Sequence, residues 1–191
     1  MAFSSVGRKK ISAQVAFLLV NIVVLALAAR VNSFQDFFFV ADLFPLCMAI
    51  ITLVVLVVLL SLDFALDNSY TGRAQSEIAV YGVLSIFWLA FNAFSTARWR
   101  LIPFTCGAIP DEFAEERTWC KDIQALKSFV WINWLICFFI FTMTLRYSVA
   151  QYTRGNKHIF QTPLSRYEPE LGATGSAFGR DSEFLQFEKI N

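Results

Sequence analysis

The chain has 191 residues, of which 57% are hydrophobic and 16% charged, with a formal net charge of +1. Soluble domains carry about 25% charged residues, and so neutral a balance argues against nucleic acid or a strongly acidic substrate as partner. The lone histidine, His158, lies beyond the last apolar stretch, which excludes a catalytic histidine within the hydrophobic part of the chain.

Long apolar stretches at residues 11–29, 37–62, 78–97 and 129–145 organise the sequence; they hold no Lys, Arg or His, and Asp42 is their one acid. A hydrocarbon core about 30 Å thick takes roughly 20 helical residues to cross. Lipid offers no partner to a backbone amide or carbonyl, so each crossing has to satisfy its own as a helix. The predicted fold is all-α, an integral membrane antiparallel four-helix bundle. Its spans fall at about 11–29, 41–62, 78–97 and 128–147, with an N-terminal segment at 1–10, a long loop at 98–127 and a flexible tail at 153–191.

Arg8, Lys9 and Lys10 precede the first stretch. Basic residues before an apolar run also describe a signal peptide, but those h-regions are about 7–15 residues long. This one is longer and carries Ser12, Gln14 and Asn21, so it reads as a retained helix. The basic N-terminus favours the cytosol, and an even number of spans brings the C-terminus to the same side. Arg146, Arg154, Lys157 and Arg166 after the last span agree with this.

Asp42 and Asp63 bracket the second helix and read as groups at headgroup depth. The connection after it holds Asn68, Ser69 and Gly72, a turn composition. The third stretch is rich in small residues, Gly82, Ser85, Ala90, Ala93 and Ala97. Ala93 and Ala97 form a small-xxx-small pair that admits a neighbouring backbone. Asn21, Asn92 and Asn133 are candidates for hydrogen bonds between helices, each worth about 0.6–2 kcal/mol. Gln14, near a span end, reaches toward the interface. Trp88 is mid-span, while Trp99, Trp119, Trp131 and Trp134 suit an interfacial aromatic belt. The abundant Phe and Leu read as lipid-facing surface.

The loop at 98–127 mixes five basic residues with the acids Asp111, Glu112, Glu115, Glu116 and Asp122. It also holds Cys106 and Cys120. On the oxidising side of a membrane these would form a disulfide, stabilising the loop by about 3 kcal/mol; on the cytosolic side they would be two free thiols. Termini in the cytosol favour the disulfide. Cys47 and Cys137, inside spans, read as small core residues. Pro110 suits a helix start, with acids in the first turns where the helix dipole favours them. The fourth helix is therefore expected to begin outside the bilayer and run in without a break. In the tail, Thr162-Pro163, Ser165 and Ser182 are candidate phosphorylation sites, and Phe184, Leu185 and Phe187 a short apolar docking face.

Motifs for chemistry are missing: the sequence has no phosphate-cradling Gly-rich loop, no His/Cys metal cluster and no nucleophile–histidine–acid set. Two local stretches carry a resemblance. One is Val80-Tyr81-Gly82-Val83-Leu84-Ser85-Ile86-Phe87-Trp88-Leu89-Ala90, and the other is Cys106-Gly107-Ala108-Ile109-Pro110 followed by Trp119-Cys120. With four spans and a cysteine pair in the last loop, the chain resembles the MARVEL-domain family of the fungal type over about residues 11–152. Tetraspanins carry a Cys-Cys-Gly motif absent here, and claudins place their cysteine pair in the first loop. The resemblance implies a protein of the plasma membrane or of secretory or endosomal membranes that organises membrane domains or serves trafficking and apposition. It implies no catalysis, no cofactor and no metal. Its partners would be membrane lipids, other membrane proteins or a second copy. A channel or transport component and an accessory subunit of a membrane complex are the competing expectations.

Overall fold

A computed structural model describes residues 5–34, 40–65, 72–100, 106–156 and 159–164 of the chain. Four helices account for most of them: α1 (Ser5–Ser33), α2 (Val40–Ala65), α3 (Ala74–Trp99) and α4 (Ala114–Thr153). All are long and apolar enough to cross a membrane. Short 3-10 turns at Cys106–Ala108, Asp111–Phe113 and Ile159–Gln161 complete the described residues.

One periodicity generates the packing. The buried positions of α1 include Gln14, Phe17, Asn21, Val24, Ala28 and Val31; those of α2 include Asp42, Ala49, Thr52, Leu56, Leu59 and Asp63. On α3 they include Glu77, Tyr81, Trp88, Asn92, Ser95 and Trp99, and on α4 Ile123, Leu126, Val130, Asn133, Cys137 and Ile140. Steps of three and four alternate, a mean of about 3.5 residues, which keeps one seam of each helix facing its neighbours in shallow left-handed packing. Side-chain contacts give the directions. Lys10 meets Asp63 while Asn32 meets Asp42, so α1 and α2 run antiparallel. Trp88 meets Thr52 and Trp99 meets Asp42 across α2 and α3. Asn92 meets Val130 across α3 and α4. Asn133 meets Asn21, and Arg30 meets Asp122, across α4 and α1. The helices thus close a ring in chain order.

The distribution of polarity is inverted relative to a water-soluble bundle. Leu19, Val54, Ile86, Leu135, Phe139 and Met143 stand among the exposed large apolar residues, while Gln14, Asn21, Thr52, Asn92, Ser95 and Asn133 are buried. Hydrocarbon penalises an outward polar group, so Asn21, Thr52, Asn92 and Asn133 turn inward and bond to one another, to Trp88 or to backbone. Between α2 and α3 the surface opens into an apolar groove of about 610 Å³ lined by Met48, Ile51, Val55, Val83, Phe87 and Phe91 among others.

Helix α4 has 40 residues, about 60 Å at 1.5 Å per residue, twice the hydrocarbon thickness. The turn after Pro110 leads into it, and a disulfide between Cys106 and Cys120 (Cα–Cα 5.8 Å) ties its first turns back to the segment that follows α3. At the opposite end the chain does not leave the bundle directly. Gly155, with φ 98°, reverses it after α4. Ile159 and Leu164 then bury themselves against Ala74, beside Tyr147 and Phe160, and Pro163 bridges to Arg73 at the start of α3. Part of the segment read as flexible is therefore packed, because two apolar residues find an uncovered patch at the α3–α4 end. His158, Ser165, Ser182, Phe184, Leu185 and Phe187 lie outside the described residues.

Candidate functional site

The described interior carries one concentration of charge, at the end of the bundle that holds the N-terminus. Lys10 extends from α1 between two carboxylates, with its Nζ 2.9 Å from Asp63 on α2 and 2.6 Å from Glu77 on α3. The three side chains are 7%, 4% and 2% exposed, which makes this a buried pairing rather than a surface one. One helical turn deeper, Gln14 on α1 and Tyr81 on α3 lie on the same faces as Lys10 and Glu77, as the i, i+4 spacing requires. The Gln14 amide approaches both the Glu77 carboxyl and the Tyr81 hydroxyl. Both polar atoms of Gln14, Oε2 of Glu77 and the Tyr81 hydroxyl are buried without a formed hydrogen bond.

Farther in, the amides bond directly. Asn21 donates to the Ala49 carbonyl at 2.9 Å and accepts from Asn133 at 3.3 Å, joining α1, α2 and α4. Asn92 donates to the Val130 carbonyl at 2.9 Å, and the Trp88 indole to the Thr52 hydroxyl at 3.0 Å. Gly82 sits so close to α4 that an added Cβ would stand 3.1 Å from the Phe141 ring. At the disulfide end, Asp42 accepts from the Trp99 indole at 2.5 Å, and the Asp42 carbonyl takes a bond from Asn32 at 3.0 Å. Arg30 pairs with Asp122 at 3.1 Å in a largely exposed contact, and Phe34 stacks on Trp119.

Several positions differ from the sequence reading. Ala93 and Ala97 are exposed: the inward seam of α3 runs through Asn92, Ser95 and Trp99, which rotates these alanines out of the bundle. Asp42 and Asp63 point inward to Trp99 and Lys10 instead of outward to headgroups. Gln14 is buried in the same way. Trp99 is buried too, and Trp131 and Trp134 are partly covered, donating to the Thr96 hydroxyl and the Ser85 carbonyl. An indole N–H is better satisfied on a neighbouring helix than in lipid. Cys137 is buried, with its thiol 3.7 Å from the Tyr81 carbonyl, but Cys47 is exposed.

The charged cluster is the feature that sequence reading missed. Lys10, Asp63 and Glu77 each lie just outside an apolar stretch, so none registers as an intramembrane charge. A signal was present all the same: Lys10 is one turn before Gln14, Asp63 one turn after Leu59, and Glu77 one turn before Tyr81, each continuing the inward seam of its helix. Among the described residues no group of three or more His, Cys, Asp or Glu side chains is placed to hold a metal ion. Comparison with protein-family models, curated proteins and solved structures finds no match for this chain.

Proposed function

We propose that this multi-pass membrane protein organises its surroundings through lateral contacts with lipids and with other membrane proteins, without catalysis, in the manner implied by its resemblance to MARVEL-domain proteins. The observation that supports this most is the polarity of the four spans. Their described outward faces are mostly apolar and include the α2–α3 groove, while Asn21, Thr52, Asn92 and Asn133 are directed inward into bonds between helices. Such a body offers its surroundings shape, hydrophobic length and an apolar groove, and these are the properties by which a membrane protein selects lipids and neighbours. The disulfide-tied start of α4 adds a rigid projection beyond the hydrocarbon. In this reading both termini are cytosolic and the disulfide lies on the opposite side.

The test is reconstitution of labelled full-length protein into giant vesicles with coexisting ordered and disordered lipid phases. Enrichment in one phase, with slowed diffusion of lipid around the protein, is expected. Equal partition with unaltered lipid diffusion would overturn the proposal.

A second reading, a channel or transport component, is favoured by the Lys10–Asp63–Glu77 cluster, since ionisable groups inside a membrane bundle often mark ion pathways. Ion-flux measurements on sealed liposomes separate the two. Flux above protein-free vesicles supports the second reading, and its absence alongside phase enrichment supports the first.

A further inference from the structure

At the disulfide end a second concavity has a different character from the α2–α3 groove. Between the last turns of α1 and the first turns of α4 lies a cleft of about 480 Å³, lined by Arg30, Phe34, Glu115, Trp119 and Asp122 among others. The apolar stretches give its depth. Arg30 is the first charged residue after the stretch at 11–29, and the α4 wall, at 114–122, precedes the stretch that begins at 129. The cleft therefore stands at headgroup level, just outside the hydrocarbon.

Antiparallel packing of α1 against α4 arranges the lining in tiers, because residues three or four apart on either helix lie one turn apart. The innermost tier is Arg30 with Asp122, 3.1 Å apart. One turn outward, the Phe34 ring stacks on Trp119, with centroids 6.2 Å apart and planes 27° from parallel. One further turn outward on α4 stands Glu115, exposed to solvent. A paired cation, two aromatic rings and a carboxylate thus follow one another away from the membrane. The neighbouring charges of this region, Glu112, Glu116, Arg117 and Lys121, do not line the cleft.

Each tier has its own preference. The Arg30 side chain is 63% exposed although it meets Asp122 through Nη2, and a guanidinium carries five N–H donors in a planar fork that matches phosphate oxygens. Aromatic rings beside a carboxylate attract a quaternary ammonium, the rings through their quadrupole and the acid through its charge. Both signs line the cleft at separate levels, which suits a zwitterion better than an ion of one sign. We propose that the cleft binds the phosphocholine headgroup of a phospholipid, with the phosphate at Arg30 and the trimethylammonium against the Phe34–Trp119 pair and Glu115. A lipid imposes the same order, since its phosphate adjoins the glycerol and its choline is terminal. Phosphoglycerol offers Arg30 the same phosphate but brings no cation to the outer tiers. The site rests on the lipid-contact reading of this protein for the class of its partner, and gives that contact one place and one headgroup.

The experiment melts full-length protein in maltoside micelles doped with palmitoyl-oleoyl phosphatidylcholine or with phosphatidylglycerol of the same chains. A ligand bound only by the folded state raises the midpoint progressively with its concentration. Phosphatidylcholine is expected to do so at several-fold lower mole fraction than phosphatidylglycerol. Arg30→Gln, Glu115→Gln and Trp119→Leu, at exposed or half-buried positions, should each move the phosphatidylcholine response to several-fold higher lipid. Should Trp119→Leu not fold, Phe34→Leu serves in its place. Equal responses to the two lipids would overturn the site, as would a preference for phosphatidylcholine that survives in all the variants. Free phosphocholine at matched concentration is the third arm, and a response equal to that of the lipid would overturn the lipid assignment. Vesicle phase partition of the wild type is scored separately. Phase enrichment with equal lipid responses removes this site alone, whereas loss of both removes the organising role as well.

Discussion

Replacing Lys10 by Met removes the ammonium that bridges two buried carboxylates while keeping an unbranched side chain one atom shorter. At an effective dielectric constant of 20, each contact, 2.6 and 2.9 Å long, carries about 6 kcal/mol of Coulomb attraction. Desolvation of three ions returns several kcal/mol per ion, so the intact cluster contributes far less to stability than the gross attraction suggests. Its disruption is a different matter. Asp63 and Glu77 would be left buried, mutually repelling and unpaired, and loss of one partner of a buried ion pair costs about 3–5 kcal/mol. Glu77→Gln leaves a neutral Lys10–Asp63 pair and is expected to cost no more than about 1 kcal/mol, on the scale of a hydrogen bond. The assay is reversible unfolding of the purified protein in mixed micelles, completed by the Lys10→Met/Glu77→Gln double variant as a thermodynamic cycle. The double variant should recover part of the Lys10→Met loss. Equal effects of the two single substitutions, or a Lys10→Met loss below about 0.5 kcal/mol, within the range of an exposed ion pair, would refute the reasoning.

Other consequences follow from the same packing. Reduction of Cys106–Cys120 should lower stability by about 3 kcal/mol and open residues 106–120 to protease, and a thiol-mass assay should gain two reactive groups only after reductant. Before reduction, a lipid-soluble maleimide should label exposed Cys47 and spare buried Cys137. Gly82→Leu should push α3 from Phe141 and cost about 1–3 kcal/mol, whereas Ala93→Leu, on the exposed face, should leave the unfolding midpoint unchanged. Asn21→Leu removes the bond to Ala49 and orphans Asn133, with an expected loss of about 0.6–2 kcal/mol. Ile159→Asp should release residues 159–164, detected as faster amide exchange there and at the start of α3 while the core of the bundle stays protected.

Much of the fold was legible because hydrocarbon is a severe solvent. Four stretches of spanning length with one acid among them, Asp42, admit few structures other than helices, and the intervening Pro110 foretold that α4 would start well before its apolar part. The cysteine pair was legible for a similarly simple reason, being two thiols in one short loop. The rotation of each helix was not. Composition names Ala93 and Ala97 as a packing pair, but the seam through Asn92, Ser95 and Trp99 buries more bonding groups, and a helix presents only one face inward. The tryptophans misled for the same reason: an indole near a span end suits the interface equally well, and a partner on the next helix decides between them.

The sequence by itself determined the solvent, the helical class and the number of crossings, because those depend on hydrophobic length and on backbone groups that lipid cannot satisfy. The tertiary structure alone decided which polar residues meet. Lys10, Asp63 and Glu77 are separated by as many as 67 residues along the chain, and each looks like an ordinary flank of its own span. Only antiparallel packing, with every helix turned by the same 3.5-residue seam, brings them to one level and one interior. There one ammonium serves two carboxylates, and Gln14 and Tyr81 lie one helical turn farther in.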